Sequence, residues 1–451
     1  MSAWYSERNI HSHDSNNPSP SFSRNPHPEP PNPLIPTTRQ RVISRPRHLR
    51  SQQPPNFHLP LPHFIRQLPV ELLGLIFILG SEQDTFFPLT VSHVCSTWRQ
   101  IALRTPALWR RIAIGPNESM WRERIRRAQA CTLDIQLLPY RKTRSGARRS
   151  QDFNPYTVNW YMHIVVPYIR QWRSLEIQFS EYSPFLWKAA LADCASPAPR
   201  LQELTLVHRS NDDVQEFLIF AAYAPRLHRL TVDGIRLIWM PSLFANLTFL
   251  DYTHHGFTSG HQAVYDIISI LSISSRLVDF RILFPRGKVT RLPSRRESVT
   301  KRVTLPFLTQ FHLKVDGSDI PFELAHLVTL ILAPSLSSLR LIDLSRSQHS
   351  FPSLKSFFYV YALPRTLRFI FVGHGWYDSR MIQAMTHSLP YLSRIHVKRS
   401  RTPDQVLNLQ NHVRNSPGSA SFGRNQSHLL HGHYRIDTLN VHYLPKLYRQ
   451  S

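Results

Sequence analysis

At 451 residues, with 42% apolar residues and 36 prolines against 14 glycines, the chain has room for two to three ordinary domains and carries more proline than a purely globular protein needs. Lysine and arginine outnumber aspartate and glutamate 54 to 29, a formal charge of +25 whose long-range field favours acidic partners. Cys95, Cys131 and Cys194 are far apart with no CxxC pair, which excludes a disulfide scaffold and a thiolate zinc site. The N-terminus has no basic start followed by an apolar run, and Leu72 to Leu79 is too short to span a bilayer. The expectation is a protein of the cytoplasm or nucleus with no membrane association.

Residues 1–60 are rich in Ser, Asn, Pro, His and Arg, including a proline-rich run from Pro26 to Pro36. They hold too little apolar surface to offset the entropy of ordering, so a disordered tail is expected. From Leu61 the character changes. Leu68, Leu72, Leu75, Ile76 and Leu79 recur at helical spacing, with Pro69 in the first turn, where a missing N–H costs nothing. A polar break at Ser81 to Asp84 comes next, then an apolar segment from Phe86 to Val94. A third stretch with Val94, Trp98, Ile101 and Ala102 ends at Thr105-Pro106. Three short helices are predicted. Their apolar load, together with Leu108, Trp109, Ile112 and Ile114, is too large for a bundle of about 45 residues to bury alone, so part of it is expected to face a partner.

Trp121 to Ala130 reads as a helix, Leu133 to Leu137 as a strand, and Arg141 to Pro155 as a basic loop. Residues 116–160 are accordingly expected to link the helical module to the C-terminal part of the chain. Beyond Asn159 an apolar spacing L-x-x-L-x-L recurs: Trp172/Leu175/Ile177, Leu201/Leu204/Leu206, Leu227/Leu230/Val232, Leu247/Leu250/Tyr252, Leu277/Phe280/Ile282, Leu308/Phe311/Leu313, Leu336/Leu339/Leu341, Leu354/Phe357/Tyr359, Leu392/Ile395/Val397 and Ile436/Leu439/Val441. Between them, Val214 to Tyr223, capped by Asn211 or Asp212, and Ala263 to Leu271 read as helices. Repeated strand-then-helix units bury their faces only against neighbours and stack into a solenoid. The spacing resembles the leucine-rich repeat family over roughly residues 165 to 445, though intervals run from about 18 to more than about 40 residues and the asparagine or cysteine after the third apolar position is generally missing. Ordinary strands of another α/β domain remain the alternative.

The order Leu68-Pro69-Val70-Glu71-Leu72, Ile76-Phe77, Val91-x-x-Val94-Cys95-x-x-Trp98-Arg99 and Leu108-Trp109 closely resembles the F-box family. The resemblance covers about a tenth of the chain. It implies binding of a Skp-type adaptor, and through it a cullin, by Leu68, Pro69, Ile76, Phe77, Val91, Val94, Cys95 and Trp98. The segment Gly80 to Phe87 is a few residues longer than in compact F-boxes and reads as a loop. The fold class expected is α/β: a small three-helix F-box at 61–115, then an irregular leucine-rich-repeat-like α/β solenoid at 161–451, preceded by the disordered tail.

The function expected is a non-catalytic substrate-recognition adaptor of a cullin-based ubiquitin ligase, with an acidic or phosphorylated protein as target and no assignable substrate-binding residue. The runner-up is a basic nucleic-acid-associated scaffold. The basic stretches Arg39 to Arg50, Arg141 to Arg149 and Arg286 to Arg302 lack the aromatic interleaving of a single-strand groove, which makes nucleic acid the weaker expectation. Cys95 reads as a small buried hydrophobe, since His93, two positions away, lies on another helix face. His254-His255 with His261, and His428, His431 and His433, lack metal-site spacing, and Gly373-His374-Gly375 lacks the third glycine of a dinucleotide loop and reads as a turn. No cofactor, metal or catalytic residue is expected.

Overall fold

The computed structural model describes residues 64–142, 148–150, 153–285, 301–399 and 404–409. The N-terminal tail, most of the three basic stretches, the cluster Ile436/Leu439/Val441 and the histidines from His428 to His433 lie outside these residues. The described chain begins with three helices, α1 (Val70–Gln83), α2 (Phe87–Ser92) and α3 (Ser96–Arg104), followed by a 3-10 turn at Pro106–Trp109. Helix α1 runs through the stretch read as a polar break, because Ser81 is buried and its hydroxyl donates to the Ile78 carbonyl at 2.6 Å. Only Asp84 to Phe86 connects α1 to α2. Gly80 permits this tight turn: a Cβ there would run into the Phe87 ring.

Strand β1 (Arg111–Ala113) comes next, without a linker. Residues 116–160, expected as a connector, instead hold α4 (Glu118–Ala128), β2 (Leu133–Leu137) and the first part of α5 (Pro155–Val165). The basic segment read as a loop contains an antiparallel pair, Tyr140–Lys142 with Arg148–Ser150. The chain then alternates strands with helices or short turns: β3 (Trp172–Phe179), α6 (Leu186–Leu191), β4 (Glu203–His208), β5 (Arg229–Asp233), α7 (Pro241–Phe244), β6 (Phe249–Thr253), α8 (Gly260–Ile273), β7 (Asp279–Pro285), β8 (Gln310–Asp316), α9 (Phe322–Leu330), β9 (Ser338–Asp343), α10 (Leu354–Val360), β10 (Phe369–Gly373), α11 (Ser379–Ser388), β11 (Arg394–Lys398) and β12 (Gln405–Asn408).

These twelve strands form one sheet in chain order. All neighbours pair in parallel except β12, which returns antiparallel on β11. Register explains the recurring sequence pattern. Leu175, Leu204, Leu230, Leu250, Phe280, Phe311, Leu339, Ile370 and Ile395 stand side by side across nine strands, and Ile177, Leu206, Val232, Tyr252, Ile282, Leu313, Leu341, Val372 and Val397 form a second row two residues on. Period-two alternation sends both rows to one face. There they join the buried faces of the helices in one continuous core. The first row's spacing ranges from 20 positions (Leu230 to Leu250) to 31 (Ile370 less Leu339), so strand register is strict while connections vary.

Two expectations about this region fail for identifiable reasons. Leu354/Phe357/Tyr359 forms helix α10, because Leu354, Phe357 and Phe358 lie three and four apart and are all buried while Tyr359 is exposed. The strand belongs to the next stretch, where Leu367, Ile370 and Val372 repeat the same spacing. Val214 to Tyr223 is not a helix: Glu216–Phe217 pairs with Arg236–Leu237, and Phe220, Ala221 and Ala222 have left-handed backbone. Phe220 is fully buried and its N–H donates to the Cys194 carbonyl at 2.8 Å, while the Asn211 amide donates to Gly234 O at 2.8 Å rather than capping a helix. Tertiary partners outcompete local propensity here.

Phe280 and Phe311, from adjacent strands, stack at 5.3 Å and 13° with almost no exposure. Phe311→Ala is expected to lower the unfolding free energy by about 3–5 kcal/mol, through lost transfer energy plus a cavity that neighbouring strands cannot close. Urea unfolding followed by tryptophan fluorescence checks this.

Candidate functional site

Helix α1 is apolar on both sides. Leu73, Gly74, Phe77 and Ser81 turn inward and are buried. On the opposite side, Leu72, Leu75, Ile76 and Leu79 fall at i, i+3, i+4 and i+7, and each remains 47–56% exposed. The most regular apolar stripe of the segment therefore faces outward, whereas such a stripe ordinarily faces the core. Val70 at the start of α1, Val94 after α2 and Leu103 near the end of α3 are also exposed.

The residues expected at the adaptor contact divide along this line. Ile76, Val94, Pro69 and Cys95 are exposed, and Leu68 is half-buried. Phe77 and Val91, expected at that surface, lie instead inside the domain at 1% and 3% exposure. Trp98 is partly buried, with its ring 5.0 Å from Phe77 and tilted by 57°. Cys95 is exposed, not the buried hydrophobe expected. It is the N-cap of α3, where its Sγ accepts the Trp98 N–H at 3.5 Å. Sequence reasoning placed Leu72, Leu75 and Leu79 on a helix but not at a contact. The signal for their role was present: Leu73 and Phe77 supply a second apolar face at i, i+4, so one face must be surplus.

The three helices are bound to the sheet by a specific seam. Trp109 is buried, donates its indole N–H to Ala102 O at 2.8 Å, and carries the Arg127 guanidinium 4.4 Å from its ring centroid. Arg110 pairs with Glu82 at 2.6 Å, and Arg111 donates to the Glu82 carbonyl. Arg124 on α4 is 2% exposed and donates to Thr85 O at 2.5 Å and Arg111 O at 3.3 Å, tying the α1–α2 turn to the first strand. Trp121 donates to Gly115 O at 2.9 Å beneath it.

The sheet face opposite the apolar rows is polar. Asp134 accepts both Arg173 nitrogens at 2.8 and 2.7 Å, and Lys314 reaches Asp251 at 2.7 Å. Among the described residues no group of three or more His, Cys, Asp or Glu side chains is placed to hold a metal ion, and no helix is long and apolar enough to cross a membrane. His254 and His255 are engaged by Thr258 O at 2.8 Å and Asn211 O at 2.9 Å. Gly373 ends β10 and His374 to Trp376 forms a 3-10 turn. Burial raises the Cys194 thiol to about 12, so this cysteine is held as an inert core residue.

The F-box-like family model matches residues 65–115, a span that covers α1 to α3, the Trp109 turn and β1. The chain thus carries an F-box-like domain at these residues, and F-box domains generally bind Skp-type adaptors. No curated protein matches the chain.

This geometry makes two outcomes testable. Arg124→Met removes the donor to two carbonyls in the seam and is expected to cost about 1–3 kcal/mol. Faster amide hydrogen exchange confined to Thr85 to Phe87 and β1 would register it. The second concerns His312, whose imidazole is held down at about 4, below its ordinary 6.5, by burial and by Arg281, Arg340 and Lys314, against an opposing pull from Asp279. A histidine with a depressed folded pKa takes up its proton mainly on unfolding. Stability should be level in this group above pH 6.5 and fall as pH drops from 6.5 to about 4. His312→Asn should flatten that slope in thermal melts across the window.

Proposed function

We propose that this chain is the substrate-recognition subunit of a cullin-based ubiquitin ligase of the Skp–cullin–F-box type. The F-box-like domain docks on the adaptor and the sheet-rich region holds a target protein. Ubiquitin transfer is left to other subunits, and this chain contributes proximity rather than chemistry. The observation that carries the reading is the uncovered stripe Leu72, Leu75, Ile76 and Leu79 within a matched F-box-like domain. A stripe of that spacing fits the hydrophobic groove of a partner, read as i, i+3, i+4 and i+7 anchors.

On this reading the contact surface consists of Leu68, Pro69, Ile76, Val94 and Cys95 from the F-box motif, enlarged by Leu72, Leu75 and Leu79. Phe77 and Val91 support it from beneath, and Trp98 does both through its contact with Phe77. The sheet-rich region is proposed as an irregular leucine-rich-repeat-like solenoid, supported by sequential parallel pairing and by repeat units that bury their apolar rows against their neighbours. The cytoplasm or nucleus, where such ligases act, is the proposed location. The seam through Trp109 and Arg124 suits the role, because a fixed joint between adaptor and target modules keeps the target at a defined distance.

The test is affinity for the purified adaptor, measured by calorimetry on the intact chain. Ile76→Asp/Leu79→Asp places two charges in the stripe and should weaken binding by more than about thirtyfold, the scale of an interface hot spot, while leaving the thermal midpoint nearly unchanged. Unchanged affinity in that variant would move the contact away from α1.

A further inference from the structure

Charge on the polar face of the sheet is unevenly matched. On the earlier strands three outward carboxylates have cations beside them, Asp134 with Arg173, Asp251 with Lys314, and Asp279 with Arg281 at 2.7 Å, while Glu176 accepts from the Gln136 and Gln178 amides. The balance changes from β9 onward. Outward positions there are Arg340 on β9, Phe369 and Phe371 on β10, and Arg394 and His396 on β11, with Arg340, Phe371 and His396 in one register row and Phe369 and Arg394 in the row before it. Arg340 and Arg394 are exposed, and among the described residues neither is paired with a carboxylate.

Arg340 is also aimed. Its guanidinium carbon lies 5.8 Å from the Phe369 ring centroid and 5.7 Å from that of Phe371, and the His396 ring meets Phe371 edge-on at 5.0 Å. Stacking of this kind holds the planar fork in place with its donors free, which lowers the entropy lost when an anion binds. Asp404 lies 4.0 Å from Lys398, so the fixed cations left over on these outward positions are Arg340 and Arg394. They stand two strands apart and two residues offset along the strands, roughly 12 Å between backbones at the ordinary spacings. Two single cations at that separation suit several dispersed carboxylates better than one compact dianion. The flat aromatic surface between them suits apolar side chains.

We infer that the sheet face over β9 to β11 receives an acidic segment of the target protein, rich in Asp or Glu, laid across the strands. This rests on the reading that the sheet-rich region holds the target. It adds the place and the chemical class. The net charge of +25 favours the same partner by steering.

The experiment is fluorescence anisotropy on the intact chain with a labelled Glu-rich peptide, a Gln-for-Glu version and a phosphoserine version. The unmodified chain should bind the Glu-rich peptide and not the Gln version. Arg340→Glu/Arg394→Glu, and more mildly Arg340→Gln, should weaken binding, the double variant by at least about tenfold. Arg226→Glu, an exposed charge change in the turn before β5, should leave it within about twofold. Absence of Glu-peptide binding, equal binding of the Gln version, equal loss in Arg226→Glu, or binding of the phosphoserine version alone would overturn the inference. Adaptor affinity separates the two readings: the double variant should retain it, whereas its absence in the unmodified chain would strike the subunit reading itself.

Discussion

From β3 to β11 each strand sets its apolar pair beside those of the neighbouring strands and against the buried faces of the helices, and the rest of the molecule is arranged around that constraint. Leu204 has Leu175 on one side and Leu230 on the other, and the same holds across the row to Ile395. Cohesion therefore comes from neighbours, and the connections are free to differ in length and form. One connection is a fourteen-residue helix, α8, while another holds a two-residue strand and a left-handed turn at Phe220 to Ala222. A one-residue slip in any strand would turn both rows outward, so register is the specified quantity. The end of the sheet meets the constraint differently. Strand β12 returns antiparallel and is exposed along its length, occupying the free edge of β11.

The F-box-like domain solves a different packing problem. Helix α1 has more apolar surface than two short helices can cover, and Phe77 and Leu73 take up the inner side. Among the described residues nothing covers the outer side, which is costly for an isolated domain and useful for one that docks. At its other end the domain is not hinged. Trp109, Arg110 and Arg124 join it directly to β1, the buried Arg124 guanidinium donating to two backbone carbonyls. A target held on the sheet would be carried at a fixed position relative to the docking surface.

Much of the architecture was legible in the sequence because it is periodic. The three helices, the stop at Thr105-Pro106, the Ala263 to Leu271 helix and eight of the ten apolar clusters coincide with observed elements. The cluster at Leu354 failed because its spacing satisfies two: i, i+3 serves a helix as well as the repeat, and buried Phe358 decides for the helix. Val214 to Tyr223 failed because its hydrogen bonds go to Cys194 and the Arg236 strand, partners distant in sequence. The F-box-like segment was legible in the sequence, but which of its faces stays exposed was not. Motif order placed Phe77 and Val91 at the surface, whereas only the packing of α1 against α2 and α3 tells which of its two apolar faces is left over. The seam was invisible for a similar reason, as nothing local in Arg124 announces a partner at Thr85.

The account stands most directly on whether the outward face of α1 is a docking face. Light scattering coupled to gel filtration, on the intact chain mixed with a purified Skp-type adaptor, measures this without any substitution. A one-to-one complex is expected. A folded chain that elutes alone at concentrations well above the micromolar range would contradict it.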